Sequence, residues 1–162
     1  MPPFEIDITI NDKRWNSQIP DIETFTQNIV QKVLNGFEWD AKTLDISIVL
    51  ADNDFVQNLN KNYRDKDKPT NVLSFPQTES DAINNNIPFV SLGDIIAAYE
   101  TIENEASQQN KTFKNHYTHM LIHGCLHLLH FDHQTDEQAQ EMESLEIEIL
   151  QDLNIKNPYE CA

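Results

Sequence analysis

A chain of 162 residues, 39% hydrophobic and 23% charged, has the composition of an ordinary globular protein and a length suited to one domain with a single buried core. Eleven basic against 27 acidic residues leave a formal charge of −16, a poor footprint for a generic nucleic-acid binder, because phosphate contacts normally come from a basic face. No apolar run approaches the ~18 residues of a membrane helix, and Met1-Pro2-Pro3-Phe4-Glu5 lacks the basic and apolar regions of a secretory signal, so the expected compartment is the cytoplasm.

Phe4, Ile6, Ile8 and Ile10 alternate with Glu5, Asp7 and Thr9, the period of a half-buried strand. Asp21 is placed to cap a helix in which Ile22, Phe25, Ile29, Val33 and Phe37 recur at spacings of three and four. Leu44, Ile46, Ile48 and Leu50 alternate with Asp45 and Ser47 as a second strand, and Asp52 precedes Phe55, Val56, Leu59 and Tyr63 at helical spacing. Residues 65–70 form a polar loop in which Pro69 blocks helix. Residues 72–75 are a strand whose brevity and following Pro76 suit a sheet edge. Residues 77–90, with Asn84-Asn85-Asn86 and Pro88, read as a mobile surface loop, and residues 92–98 as the fourth strand. From Tyr99 the pattern is helical to Leu129, with a break near Asn110. Thr135-Asp136-Glu137-Gln138 has the capping-box form, so the last helix starts there and runs to about Leu153, burying Met142, Leu145, Ile149 and Leu153. The expected fold is an α/β chain, a small four-stranded mixed sheet with a short edge strand packed with about five helices.

Charge is unevenly spread. Four of the eleven basic residues, Lys61, Arg64, Lys66 and Lys68, fall within eight positions and form the one local segment suited to nucleic acid. The acidic run beyond residue 136 reads as a solvated helix face. Cys125 and Cys161 have no paired spacing of the kind that frames a disulfide or a cysteine zinc site. Cys125 is expected to be a small buried hydrophobe and Cys161 part of the tail.

All six histidines lie in residues 116–133, HYTHMLIHGCLHLLHFDH. His123 and His127, four apart on a helix, project about 40° apart and one turn along the axis, so their imidazoles can share one ion. His119 cannot easily join them, because eight helical residues span about 12 Å and zinc–nitrogen bonds are about 2.1 Å. The third ligand must come from beyond the helix, and His133 fits if the helix stops near His130 and the chain turns back. A lone pair of histidines four apart is more often a surface feature. A third at workable spacing turns the balance toward metal. Three histidines without cysteine form a catalytic pattern that leaves a fourth position for water. His116, His119 and His130 are expected in supporting or structural roles, with His119 a candidate to line the cleft. Asp132 is a candidate carboxylate to hydrogen-bond a ligand imidazole, or else a helix cap.

The spacing His-x3-His-x5-His also resembles zinc metalloproteases, whose helix reads H-E-x-x-H. Here the glutamate that would serve as general base is Gly124, which argues against peptide hydrolysis, and the glycine of the metzincin turn is His130. A closer resemblance is to the YbeY family of bacterial zinc-dependent endoribonucleases of rRNA maturation. Three motifs carry it: YRDKDKPTNVLSFP over residues 63–76, LGDI over 92–95 and HGCLHLLHFDH over 123–133. The matching order covers the middle and C-terminal two-thirds, while the first sixty residues add no specific signature.

The resemblance implies one Zn2+ ion on His123, His127 and His133, a functional arginine at Arg64, and a four-stranded mixed sheet. It implies single-stranded RNA as substrate, with the 3′ end of the small-subunit rRNA as a processing site. Where the family has glycine and tyrosine this chain has His130 and Phe131. Glycine permits a left-handed turn there, and histidine tolerates that conformation better than most side chains. The expected function is a metal-dependent, single-strand-specific endoribonuclease of rRNA maturation and ribosome quality control. Arg64 would hold the phosphate rather than sit in a surface salt bridge, with Lys61, Lys66 and Lys68 as supporting basic groups. At −16, self-repulsion weakens binding to free RNA, so a ribosomal particle or ribosomal protein is an expected partner, and neither DNA nor a membrane is. A zinc-containing assembly factor without catalysis, and more distantly a metalloprotease, are the alternative readings.

Overall fold

A computed structural model describes residues 4–37, 39, 43–77 and 89–159. The expected surface loop, apart from its ends, and the tail position of Cys161 lie outside these residues. The elements are β1 (Phe4–Ile10), α1 (Arg14–Gln18), α2 (Ile22–Asn35), β2 (Thr43–Ala51), α3 (Asn53–Arg64), β3 (Val72–Pro76), β4 (Phe89–Ala98), α4 (Tyr99–Gln108), α5 (Phe113–Leu128) and α6 (Asp136–Asp152). The strands form one sheet in the order β1-β2-β4-β3. β1, β2 and β4 run parallel, and β3 pairs antiparallel with β4 at the edge. The fold is therefore α/β with a mixed four-stranded sheet and a short edge strand, and six helices are seen among the described residues. No helix among them is long and apolar enough to cross a membrane.

Alternation along the strands separates two cores. Leu44, Ile46, Ile48, Leu50, Ile95 and Ala97 face the larger one, with α2, α5 and α6. Ala51, Ile96, Ala98 and Leu73 face a smaller one closed by Val56 and Leu59 of α3. β4 lies between β2 and β3 and is buried along most of its length, as a central strand covered on both faces must be. It begins at Phe89, three residues before the expected start. Gly93, at φ 134°, lies beside the end of β3, where a Cβ would collide with the Phe75 carbonyl oxygen.

The helix absent from the sequence reading is α1, whose five residues are too short to show a period. It is held instead by Trp15, which is fully buried, donates from Nε1 to the Ala51 carbonyl at 2.9 Å, and meets Tyr117 edge-on at 5.0 Å. Two expected caps form: Asp52 accepts from Phe55 N at 2.9 Å, and Thr135 and Gln138 make the reciprocal box. Asp21 occupies its cap position, but its side chain makes no capping bond, because its backbone is not extended there (φ −101°, ψ 41°). The break near Asn110 is a left-handed turn at φ 56°.

α5 is buried on nearly every side, between the sheet, α2, α4 and α6. Cys125 lies on it as an inert core group, and burial pushes its thiol up to about 12. In α6 the fully buried row is Met142, Glu146 and Leu150, whereas Leu145, Ile149 and Leu153 are only half-buried against the core. The acidic face is thus solvated except at Glu146, which points inward.

Candidate active site

Where α5 ends decides the site. His130 N–H donates to the His127 carbonyl at 2.9 Å and Phe131 N–H to the Leu126 carbonyl at 3.0 Å. With His130 left-handed at φ 71°, this is a Schellman ending, the motif that normally uses glycine. The chain then doubles back, and Asp132 Oδ1 accepts the His133 backbone N–H at 2.8 Å. As a result, one ring nitrogen each of His123, His127 and His133 lies within 4.8 Å of the others.

The tautomers are set from behind. His123 Nδ1 donates to Glu146 Oε2 at 2.9 Å and His127 Nδ1 to the Phe131 carbonyl at 3.1 Å. Both Nε2 atoms are then acceptors, and they face each other at 3.0 Å. Two lone pairs in that position repel unless a cation lies between them. Nitrogens about 2.1 Å from a tetrahedral zinc stand about 3.4 Å apart, close to the spacing seen. The donor set fits a metal ion bound by three imidazoles with an open position. Burial, with His123 and His133 packed close by, holds His127 down at about 4, so it is neutral and able to ligate near pH 7.

Glu146 anchors this arrangement. Its side chain is buried, and Oε1 accepts from His119 Nε2 and from the Tyr159 hydroxyl, both at 2.5 Å. Burial alone would raise its carboxyl, but hydrogen bonds from His119, His123 and Tyr159 outweigh it and hold the group at about 2. The carboxylate bonded to one of the three clustered imidazoles is therefore Glu146, while Asp132 uses its oxygen on the turn. His119, expected to line the cleft, stands behind it. His116 makes a second such pair, donating from Nε2 to Glu105 Oε1 at 2.8 Å, and Asn71 Nδ2 holds the same oxygen at 3.1 Å.

The three histidines open on a cleft of about 680 Å³ whose other walls include Arg64, Tyr63, Asn71, Ser74 and Phe75. Arg64 is the last residue of α3 and is exposed. Among the described residues its guanidinium makes no ion pair. The loop after it is tied by Asn60, only 2% exposed, whose carbonyl accepts from Lys66 N at 3.2 Å and whose Nδ2 donates to the Lys68 carbonyl at 2.9 Å. Lys61, Lys66 and Lys68 are exposed, but none of them lines the cleft. Gly124 faces the sheet. A Cβ there would sit 3.2 Å from Ile95 Cγ2 and 3.3 Å from Ser74 Oγ, so any side chain at this position has to push its neighbours aside.

A family model described as Endoribonuclease YbeY matches residues 7–154 of the chain. The match therefore reaches back into β1, where no specific signature is legible. Similar proteins of that description include one from Bartonella bacilliformis, 42% identical over 156 residues that cover 96% of this chain and 97% of the relative. Another, from Paramagnetospirillum magneticum, is 41% identical over 161 residues and covers 96% of each. A third, from Colwellia psychrerythraea, is 53% identical over 115 residues, 71% of this chain and 72% of its own. A solution structure of a Thermotoga maritima protein superposes with a TM-score of 0.55 over 92% of this chain and 91% of that one. At 24% identity that likeness shows the fold alone.

Proposed function

The chain belongs to the YbeY endoribonuclease family, and on that premise we propose that it cleaves single-stranded RNA at a zinc site on His123, His127 and His133. The single observation that carries the reading is the convergence of those three ring nitrogens within 4.8 Å at a cleft that Arg64 also lines. The chain acts as one cytoplasmic domain in rRNA maturation, on the 3′ end of the small-subunit rRNA, and in ribosome quality control. Its charge of −16 favours an encounter on a ribosomal particle or protein over one with free RNA.

Zinc bound there would polarise a phosphoryl oxygen and bring a coordinated water toward ionisation at neutral pH. The chain's own groups do the rest. Arg64 offers its planar fork to the phosphate and offsets the charge that builds on it in the transition state. Glu146 and the Phe131 carbonyl keep the two Nδ1 protons, so both Nε2 lone pairs stay turned inward. Lys61, Lys66 and Lys68 lie outside the cleft and serve as a basic approach for the flanking phosphates. Gly124 leaves out the base that peptide hydrolysis would need.

The test is cleavage by the zinc-loaded protein of a single-stranded RNA carrying the small-subunit 3′ sequence, beside the same sequence in a duplex and a peptide substrate. Cutting of the single strand alone is the expected result. No RNA cleavage at any metal loading would leave the assembly-factor reading instead.

A further inference from the structure

We propose that Tyr63, backed by Phe75, is a stacking platform for the nucleobase beside the phosphate held by Arg64, and that it selects single-stranded substrates. The inference rests on the RNA-cleaving reading above and goes beyond it by assigning a base subsite. Tyr63 immediately precedes Arg64 and is 71% exposed, more than any other exposed large hydrophobic side chain among the described residues. Its ring meets that of Phe75 at 5.8 Å and 65°, an edge contact that props Tyr63 from one side and leaves a face open. Among the described residues its hydroxyl makes no hydrogen bond, so the fold itself puts this side chain to no polar use.

Both rings line the metal cleft, and both also line a second cavity of about 410 Å³ that continues over the α3 face of the sheet. Val49, Phe55, Leu59 and Ile96 make its apolar wall, and Phe55 is itself 40% exposed. At one end Gln77 Nε2 donates to Asp94 Oδ2 at 2.7 Å, which puts an amide and a carboxylate where a base edge would lie. An apolar, aromatic wall running on from a phosphate-binding arginine matches the order of parts in a single-stranded nucleic acid, base next to phosphate. A phosphoserine or phosphothreonine peptide would supply the anion without a π-face.

Physical chemistry makes such a platform useful here. A chain of −16 gains little from general attraction to a polyanion, and stacking on an aromatic face does not depend on charge. A base can stack on Tyr63 only when its face is free, as in a single strand, whereas in a duplex the neighbouring base pairs already cover it.

The experiment uses the zinc-loaded full chain and single-stranded oligoribonucleotides that carry 2-aminopurine on the 5′ or the 3′ side of the cleaved bond. Binding to the wild type is expected to quench one of the two probes. Tyr63→Leu should keep its zinc and lose that quench, with KM raised roughly tenfold and kcat within twofold. Tyr63→Phe should behave as wild type, since the hydroxyl is unused. An abasic nucleotide at the quenched position should weaken the wild type by the same factor and add nothing to Tyr63→Leu. Unchanged KM in Tyr63→Leu, or quenching at neither position, overturns the platform while wild-type cleavage stands. A wild type that holds zinc but neither binds nor cuts RNA overturns the function itself, and the platform with it.

Discussion

Glu146 Oε2 accepts the Nδ1 proton of His123 at 2.9 Å, and the carboxylate that does so is buried in the middle of the most acidic of the described helices. One group thus accepts from two imidazoles and a phenol, and it fixes the direction in which His123 presents its other nitrogen. Glu146→Gln keeps the shape but removes the charge and half of the acceptor capacity. Zinc affinity, measured by competition with a chelator, should fall about 10- to 100-fold. Affinity within twofold of wild type would mean that the contact does not orient the ligand.

The same carboxylate sets an acid limit on the metal-free protein. Its folded value, about 2, lies below the ordinary 4.5, so the stability it contributes is complete above about 4.5 and is lost as pH falls toward 2. Denaturant midpoints of metal-free wild type and Glu146→Gln should differ most near neutrality and converge across that window. A gap that stays constant from pH 6 to 3 would assign the loss to packing instead.

His130 holds a left-handed φ of 71° at a position that glycine occupies without strain. His130→Gly should therefore raise the unfolding free energy by about 1 kcal/mol while leaving zinc bound. A β-branched residue at the same place should destabilise and loosen the metal. Lower stability in His130→Gly would show that the contacts of the histidine side chain outweigh its backbone strain.

Much of this was legible in the chain. Period-two alternation marked β1 and β2, Pro76 marked β3 as an edge, and the four-residue spacing put His123 and His127 on one helical face. Other features were hidden, for identifiable reasons. α1 owes its place to one tryptophan, and five residues carry no period. Glu146 looked like one more solvated acid, because hydropathy scores a residue alone while its burial depends on three donors that the sequence keeps 13 to 27 residues away. A signal was present all the same, since Met142, Glu146 and Leu150 stand four apart and place the acid within an apolar row. Gly124 shows the reverse case. Its absence from protease chemistry could be read directly, but its tight contact with Ile95 and Ser74 required the fold.

The most direct test of the central claim is RNA cleavage followed against zinc occupancy, in wild type and in Arg64→Ala. Wild-type activity should rise in proportion to bound zinc and saturate at one ion per chain, while Arg64→Ala binds the same ion and loses at least about a hundredfold in rate. Full cleavage by metal-free wild type, or undiminished cleavage by Arg64→Ala at full occupancy, would contradict a site built from three histidines and that arginine.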